Sequence, residues 1–206
     1  MMKLRQLILS AILLAGFASQ AYALVLTFDD IPQGNSGLQY YTYAYGVAFG
    51  YHDFTVVDHT NSPWGLPHSS PNVLVKGPEM PDTATEMYVY FKGGAGQQRA
   101  YSFGMYLSTE YGAALEMIGY NGSYSHVVAS ALIGGTDQAW NNVYAEVNSA
   151  SGEITGVILR ALTPSALAHF CADDATIEFV PEPSSLAALG FAIAGLAMAA
   201  ARRKRR

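Results

Sequence analysis

Two pairs of adjacent carboxylates, Asp29-Asp30 and Asp173-Asp174, stand near the two ends of the central part of this 206-residue chain. Crowded carboxylates repel one another and resist ionising together. A hard cation relieves that repulsion, and Ca²⁺ accepts roughly six to eight oxygen ligands in irregular geometry. If the two ends meet in the fold, Asp29, Asp30, Asp173 and Asp174 offer a structural calcium site. The alternative is that they cap turns and accept backbone hydrogen bonds at strand ends.

Other residue types support chemistry less well. His52, His59, His68, His126 and His169 are scattered, and His52-Asp53 and Asp58-His59 are sequence neighbours whose side chains diverge on a strand. No HExxH or Cys-x-x-Cys spacing for zinc is present, and His68-Ser69-Ser70 reads as a loop. There is no GxSxG and no Ser-His-Asp order. A two-carboxylate glycosidase would have Glu110, Glu116 and Glu146 to draw on, but no pair has the context that assigns an acid and a base. The expectation is a protein without catalysis. Thirteen of the fourteen tyrosines follow residue 23, and Tyr40, Tyr41, Tyr43 and Tyr45 cluster ahead of Trp64. Flat rings of this kind stack on sugar faces while acidic and amide groups accept hydroxyl hydrogen bonds. These five residues are the candidate glycan-binding set; the bland alternative is that tyrosine simply packs along a half-buried sheet.

The elements that must position these groups read as β almost throughout. Candidate strands are 24–28, 47–51, 54–57, 72–75, 87–91, 101–106, 115–120, 126–132, 142–146, 155–160 and 175–179, separated by Gly, Asn, Ser, Asp and Pro. In Met87-Tyr88-Val89-Tyr90-Phe91 the alternation turns Met87, Val89 and Phe91 to the core. Pro32 to Tyr45 and Thr60 to Pro71 read as long loops, and no amphipathic helix of ordinary length competes with the strands. Gly93-Gly94-Ala95-Gly96 lacks the spacing of a phosphate loop and reads as a hairpin turn. This pattern predicts a single all-β sandwich or jelly roll at residues 24–180. A domain of that length folds without disulfides, and Cys171, the one cysteine, is expected to be buried as a small apolar side chain.

Both termini read as sorting segments. Lys3 and Arg5 precede an apolar run from Leu7 to Phe17 and the small-residue site Ala21-Tyr22-Ala23, the order of a secretory signal peptide at 1–23 cleaved after Ala23. Pro181-Glu182-Pro183 precede an uncharged stretch at 184–201, at the short limit for a transmembrane helix. Arg202, Arg203, Lys204, Arg205 and Arg206 then hold that end in the cytoplasm, so the domain faces outward from the inner membrane. Between Leu24 and Val180 four basic residues stand against fifteen acidic ones, leaving −11, which argues against nucleic acid as a partner.

A Pro-Glu-Pro motif, a short Ala/Gly/Leu-rich helix and a terminal basic cluster together resemble the PEP-CTERM sorting signal of Gram-negative bacteria, also catalogued as an ice-binding protein C-terminal motif. The resemblance covers 180–206. It implies recognition of Pro181, Glu182 and Pro183 by an integral-membrane exosortase, and release or transfer of the domain toward the cell surface and its exopolysaccharide. A permanent tail anchor without processing is the other reading. The domain is similar to the sandwiches that often precede this tail, through Thr27-Phe28-Asp29-Asp30 in a first strand and Asp173-Asp174-Ala175-Thr176-Ile177-Glu178-Phe179 in a last one. Galactose-binding-like jelly rolls set the first and last strands side by side, which would bring the paired aspartates together. The expected function is an exported matrix protein associated with exopolysaccharide; the alternatives are a purely structural, self-associating matrix protein and a polysaccharide hydrolase.

Overall fold

The computed structural model describes residues 22–50, 53–58, 68–69, 71–77, 84–93, 96–109, 114–134, 140–163, 166–181 and 195. The expected signal peptide as far as Ala21, Trp64, Glu110, and the tail from Glu182 through the basic end, Gly195 apart, lie outside the described residues. Among the described residues no helix is long and apolar enough to cross a membrane. The chain divides into one compact unit at Ala23–Phe179 and a second formed by Met1–Tyr22 with Val180–Arg206.

Twelve strands are present among the described residues: β1 (Tyr22–Leu26), β2 (Val47–Phe49), β3 (Phe54–Asp58), β4 (Asn72–Lys76), β5 (Glu86–Gly93), β6 (Gly96–Gln97), β7 (Ala100–Thr109), β8 (Ala114–Asn121), β9 (Ser123–Gly134), β10 (Trp140–Asn148), β11 (Gly156–Ala161) and β12 (Phe170–Phe179). The first sheet runs β10-β7-β12-β4-β3 with β1 beside β12; the second runs β2-β5-β11-β8-β9 with β6 beside β5. Every one of the eleven expected strands overlaps an observed one. The glycine hairpin is formed, with Gly93 opposite Gly96.

The alternating apolar positions explain why two sheets face each other. Val89 and Phe91 of β5, Met117 of β8 and Leu159 of β11 meet Phe103 and Met105 of β7 and Ile177 and Phe179 of β12 in one buried cluster. Phe91 bridges the layers, with its ring 5.6 Å from Phe179 and 6.0 Å from Phe103. Each fully buried large apolar side chain contributes roughly 1.5–3 kcal/mol. Cys171 is buried in β12 opposite Ser108 and Val75. On the far face of the second sheet, Ile118, Tyr120 and Ile158 form a smaller cluster under Tyr88 and Tyr90.

Two expectations are corrected. The segment read as a loop from Pro32 to Tyr45 contains the helix α1 (Asn35–Tyr45). Its composition is poor for an isolated helix; docking supplies what propensity lacks. The Tyr41 ring packs edge-on to Phe28, and its hydroxyl donates to the Thr27 carbonyl. Gly46 caps the end at φ 70°, and its N–H reaches the Thr42 and Tyr41 carbonyls. Secondly, Thr27-Phe28-Asp29-Asp30 is not a strand: β1 stops at Leu26 and Phe28–Asp30 form a 3₁₀ turn. The Asp29 carboxylate draws the chain round by accepting the Asn72 N–H, while the Asn72 amide donates to the Phe28 and Ile31 carbonyls.

A Cβ added at Gly46 would lie 2.1 Å from the Lys92 carbonyl oxygen, in a left-handed conformation that penalises any side chain. Gly46→Ala is therefore expected to destabilise the domain by roughly 1–3 kcal/mol, read as a lower denaturation midpoint; an unchanged midpoint would contradict this cap.

Candidate functional site

β12 pairs with β7 in register from Phe170 opposite Thr109 to Asp173 opposite Tyr106, slips, and resumes at Thr176 opposite Gly104. The slip is a β-bulge. Asp174 sits inside it at φ 43°, in the left-handed region that Asp tolerates better than most residues. Successive side chains of a regular strand point to opposite faces; the bulge cancels that alternation, and both Asp173 and Asp174 reach the same residue, Ser69.

Three carboxylates converge there. The Ser69 hydroxyl lies 3.1 Å from Asp29 Oδ2, 3.3 and 3.2 Å from the two oxygens of Asp173, and 3.2 Å from Asp174 Oδ1. The Ser69 backbone N–H donates to Asp173 Oδ2 at 2.6 Å, and the Asp174 N–H donates to Asp173 Oδ1 at 2.9 Å. One hydroxyl carries one hydrogen and serves one of these carboxylates at a time, so the rest depend on the backbone N–H donors and on His68. Burial first, and then the neighbouring Asp174 charge, push the Asp173 carboxyl up from 3.8 to about 6, against the downward pull of the Ser69 and Asp174 hydrogen bonds. Asp30 stands apart, exposed and accepting from the Thr27 hydroxyl at 3.3 Å. Among the described residues no group of three or more His, Cys, Asp and Glu side chains has metal-holding geometry. The oxygen donors of Asp29, Asp173 and Asp174 suit calcium chemically, but the Ser69 hydroxyl is their shared neighbour.

The same knot fixes an aromatic row. Asp174 Oδ2 lies 2.8 Å from His68 Nδ1, and the His68 ring stacks on Tyr106 at 3.5 Å with 6° between planes. Tyr106 in turn lies 5.1 Å from Tyr144, its register partner on β10. Burial and the Glu146 charge raise the Tyr144 phenol, against the downward pull of Thr176 close to its hydroxyl.

The candidate glycan residues are spread differently from expectation. Tyr41 is 3 % exposed and belongs to the core, which removes it from any sugar platform. Tyr43 is 86 % and Tyr45 40 % exposed, on α1 rather than a loop. Tyr40 lies on the same helix, and its side chain and Trp64 are outside the described residues. Glu116 faces outward from the second sheet within reach of Arg160, which also binds Glu86, whereas Glu146 faces outward from the first. The structure thus does not pair them. Sequence reasoning set His68 and Ser69 aside as part of a loop and did not single out Tyr106 or Tyr144. Gly104, a glycine inside a strand pattern, was the available signal that a bulky group lies close there.

Asp173 carries a sign-definite prediction. Its folded value lies above its unfolded one, so its contribution to stability is fully present below about pH 4 and is lost as pH rises through about 6. Asp173→Asn, which imitates the protonated acid, is expected to flatten the decline between pH 4 and pH 6 when denaturation midpoints of the two proteins are compared. Parallel curves would contradict the assignment.

No curated protein sequence matches this chain. Among solved structures, the K2 cleaved adhesin domain of Lys-gingipain is similar at TM-score 0.48 and 12% identity, over 76% of this chain and 99% of that one. An arabinose-bound α-L-arabinofuranosidase gives 0.46 and 13%, over 81% and 27%. CBM29_1, a family 29 carbohydrate-binding module from Piromyces equi, gives 0.40 and 11%, over 75% and 89%. Similarity at this level says nothing about ligand or activity. The family comparison is specific to the segment that follows β12. Residues 179–206 match the PEP-CTERM protein-sorting motif, and the chain is a protein that carries that sorting signal.

Proposed function

We propose that the sandwich is a non-catalytic protein of the cell surface or extracellular matrix, associated with exopolysaccharide and delivered by exosortase. The observation that carries this reading is the sorting motif at 179–206, which implies an exported, membrane-anchored precursor that is processed and sent to the surface. The motif begins where β12 ends: Phe179 closes the strand, and Val180 and Pro181 follow without a linker. Prolines at 181 and 183 disfavour a helix in such a sequence, which suits threading by a membrane protease.

Exposed aromatic rings and an acidic, cation-poor domain favour sugar association; Tyr43 and Tyr45 on α1, with Trp64, belong to this reading. A self-associating matrix protein is the second reading, and a hydrolase the third, with the separation of Glu116 from Glu146 counting against the latter. The expected experiment is fractionation of cells making the Pro181→Ala, Glu182→Ala, Pro183→Ala triple variant. The variant should accumulate in the membrane fraction while the parent reaches the surface; equal surface delivery would sink the exosortase assignment.

A structural calcium ion on Asp29, Asp173 and Asp174 belongs to the same reading, taking over the charge balance that a proton provides at lower pH. An ion that binds only the folded state raises stability by about 2.7 kcal/mol at a hundred times its Kd. Millimolar CaCl₂ at pH 7.5 is thus expected to raise Tm over an EDTA control, and Asp173→Asn to abolish the rise. The same Tm in CaCl₂ and EDTA would remove calcium from the account.

A further inference from the structure

Tyr144 lies across the sheet rather than standing on it. Its backbone is on β10, opposite Tyr106 of β7, yet its hydroxyl reaches over Gly104 toward Thr176 of β12, the strand beyond β7. The ring passes over Gly104: a Cβ there would meet the Tyr144 hydroxyl oxygen at 2.3 Å and Cζ at 2.6 Å. Any other residue at position 104 would lift the ring. With glycine beneath it, the ring lies over β7, and Tyr144 remains 42 % exposed.

Two more rings stand beside it in a row, Tyr106 being tilted by 56° to Tyr144. Tyr106 is next to Tyr144, and His68 covers Tyr106, with 41 % of its own side chain exposed. Polar groups flank the row: Glu146 and Thr176 both lie opposite Gly104, on either side of β7, and Glu178 lies opposite Ser102. Asp174 completes the set by holding His68. The sequences of β7, β10 and β12 contain no lysine or arginine.

We propose that the outer face of β7, β10 and β12 is a binding site for a neutral polysaccharide, with a sugar ring stacked on Tyr144 and its neighbours hydrogen-bonded to Glu146 and Thr176. This rests on the glycan-associated reading above and gives it a surface and a ligand class. Aromatic faces bind the C–H face of a pyranose, and carboxylate and hydroxyl oxygens accept from sugar hydroxyls. Uronate or sulfate polymers are disfavoured, because the three strands present carboxylates and no lysine or arginine to pair with an anionic group. The carboxylate knot at Ser69 sets the position of His68 and so of one end of the row.

The full chain, purified in mild detergent, can be run in native gels containing glucomannan, hydroxyethylcellulose or laminarin as neutral probes and alginate as a polyuronate. Retardation by at least one neutral probe and none by alginate is expected. Tyr144→Ala should weaken that retardation about tenfold or more, the loss associated with removing a central aromatic contact, while Tyr144→Phe retains the ring and most of the binding. Both variants should melt close to the parent, since the ring is surface-exposed. Undiminished binding by Tyr144→Ala, or loss with Tyr43→Ala instead, would overturn this site while leaving glycan association standing. Retardation by alginate alone would overturn the ligand class. No retardation by any probe would overturn the glycan reading and the site with it.

Discussion

Charge balance around a single hydroxyl is the constraint on which the rest of this molecule depends. Ser69 gathers Asp29 from the turn after the first strand and Asp173 and Asp174 from the last strand, which are otherwise 40 to 105 residues away in sequence. The cost of holding carboxylates together in a partly buried place is offset by backbone N–H donors from Ser69, Asn72 and Asp174. Burial and the neighbouring Asp174 charge raise the Asp173 carboxyl to about 6, so the junction of the two ends of the domain is sensitive to pH in a way an apolar junction would not be.

From this junction the fold and the surface follow together. β12 is an interior strand, paired with β7 and β4 and flanked by β1, so the first sheet is incomplete until the last ten residues of the domain arrive. The bulge that lets Asp173 and Asp174 share Ser69 also places Thr176 opposite Gly104, under the hydroxyl of Tyr144. Asp174 meanwhile positions His68 against Tyr106. Core packing across the sheets, led by Phe91, Phe103 and Phe179, supplies the stability that makes this polar arrangement affordable.

Much of the strand framework was legible because period-two alternation is written locally: Met87, Val89 and Phe91 face the core as their spacing predicts. The meeting of Asp29 with Asp173 and Asp174 was anticipated from the resemblance to jelly rolls, which pair their first and last strands. The helix at Asn35–Tyr45 was not legible, since its residues have weak helix propensity and its support is tertiary: the Tyr41 contacts and the cap at Gly46. Ser69 escaped for a different reason. A hydroxyl chosen by three carboxylates distant in sequence leaves no spacing to read, and His68-Ser69 looks like any polar loop. Tyr144 looked like one strand tyrosine among many until Gly104 gave it somewhere to lie.

The sorting motif gives this construction its context. It starts at Phe179, the last residue of an interior strand, so the first sheet is complete only when the chain is in place up to the start of the motif. The most direct test of that account is the intact mass of the protein recovered from the surface or matrix fraction, in cells with and without exosortase activity. The account predicts a product that ends near Pro181 to Pro183 and appears only when exosortase is active. A surface product that still ends at Arg206 in both strains would contradict it.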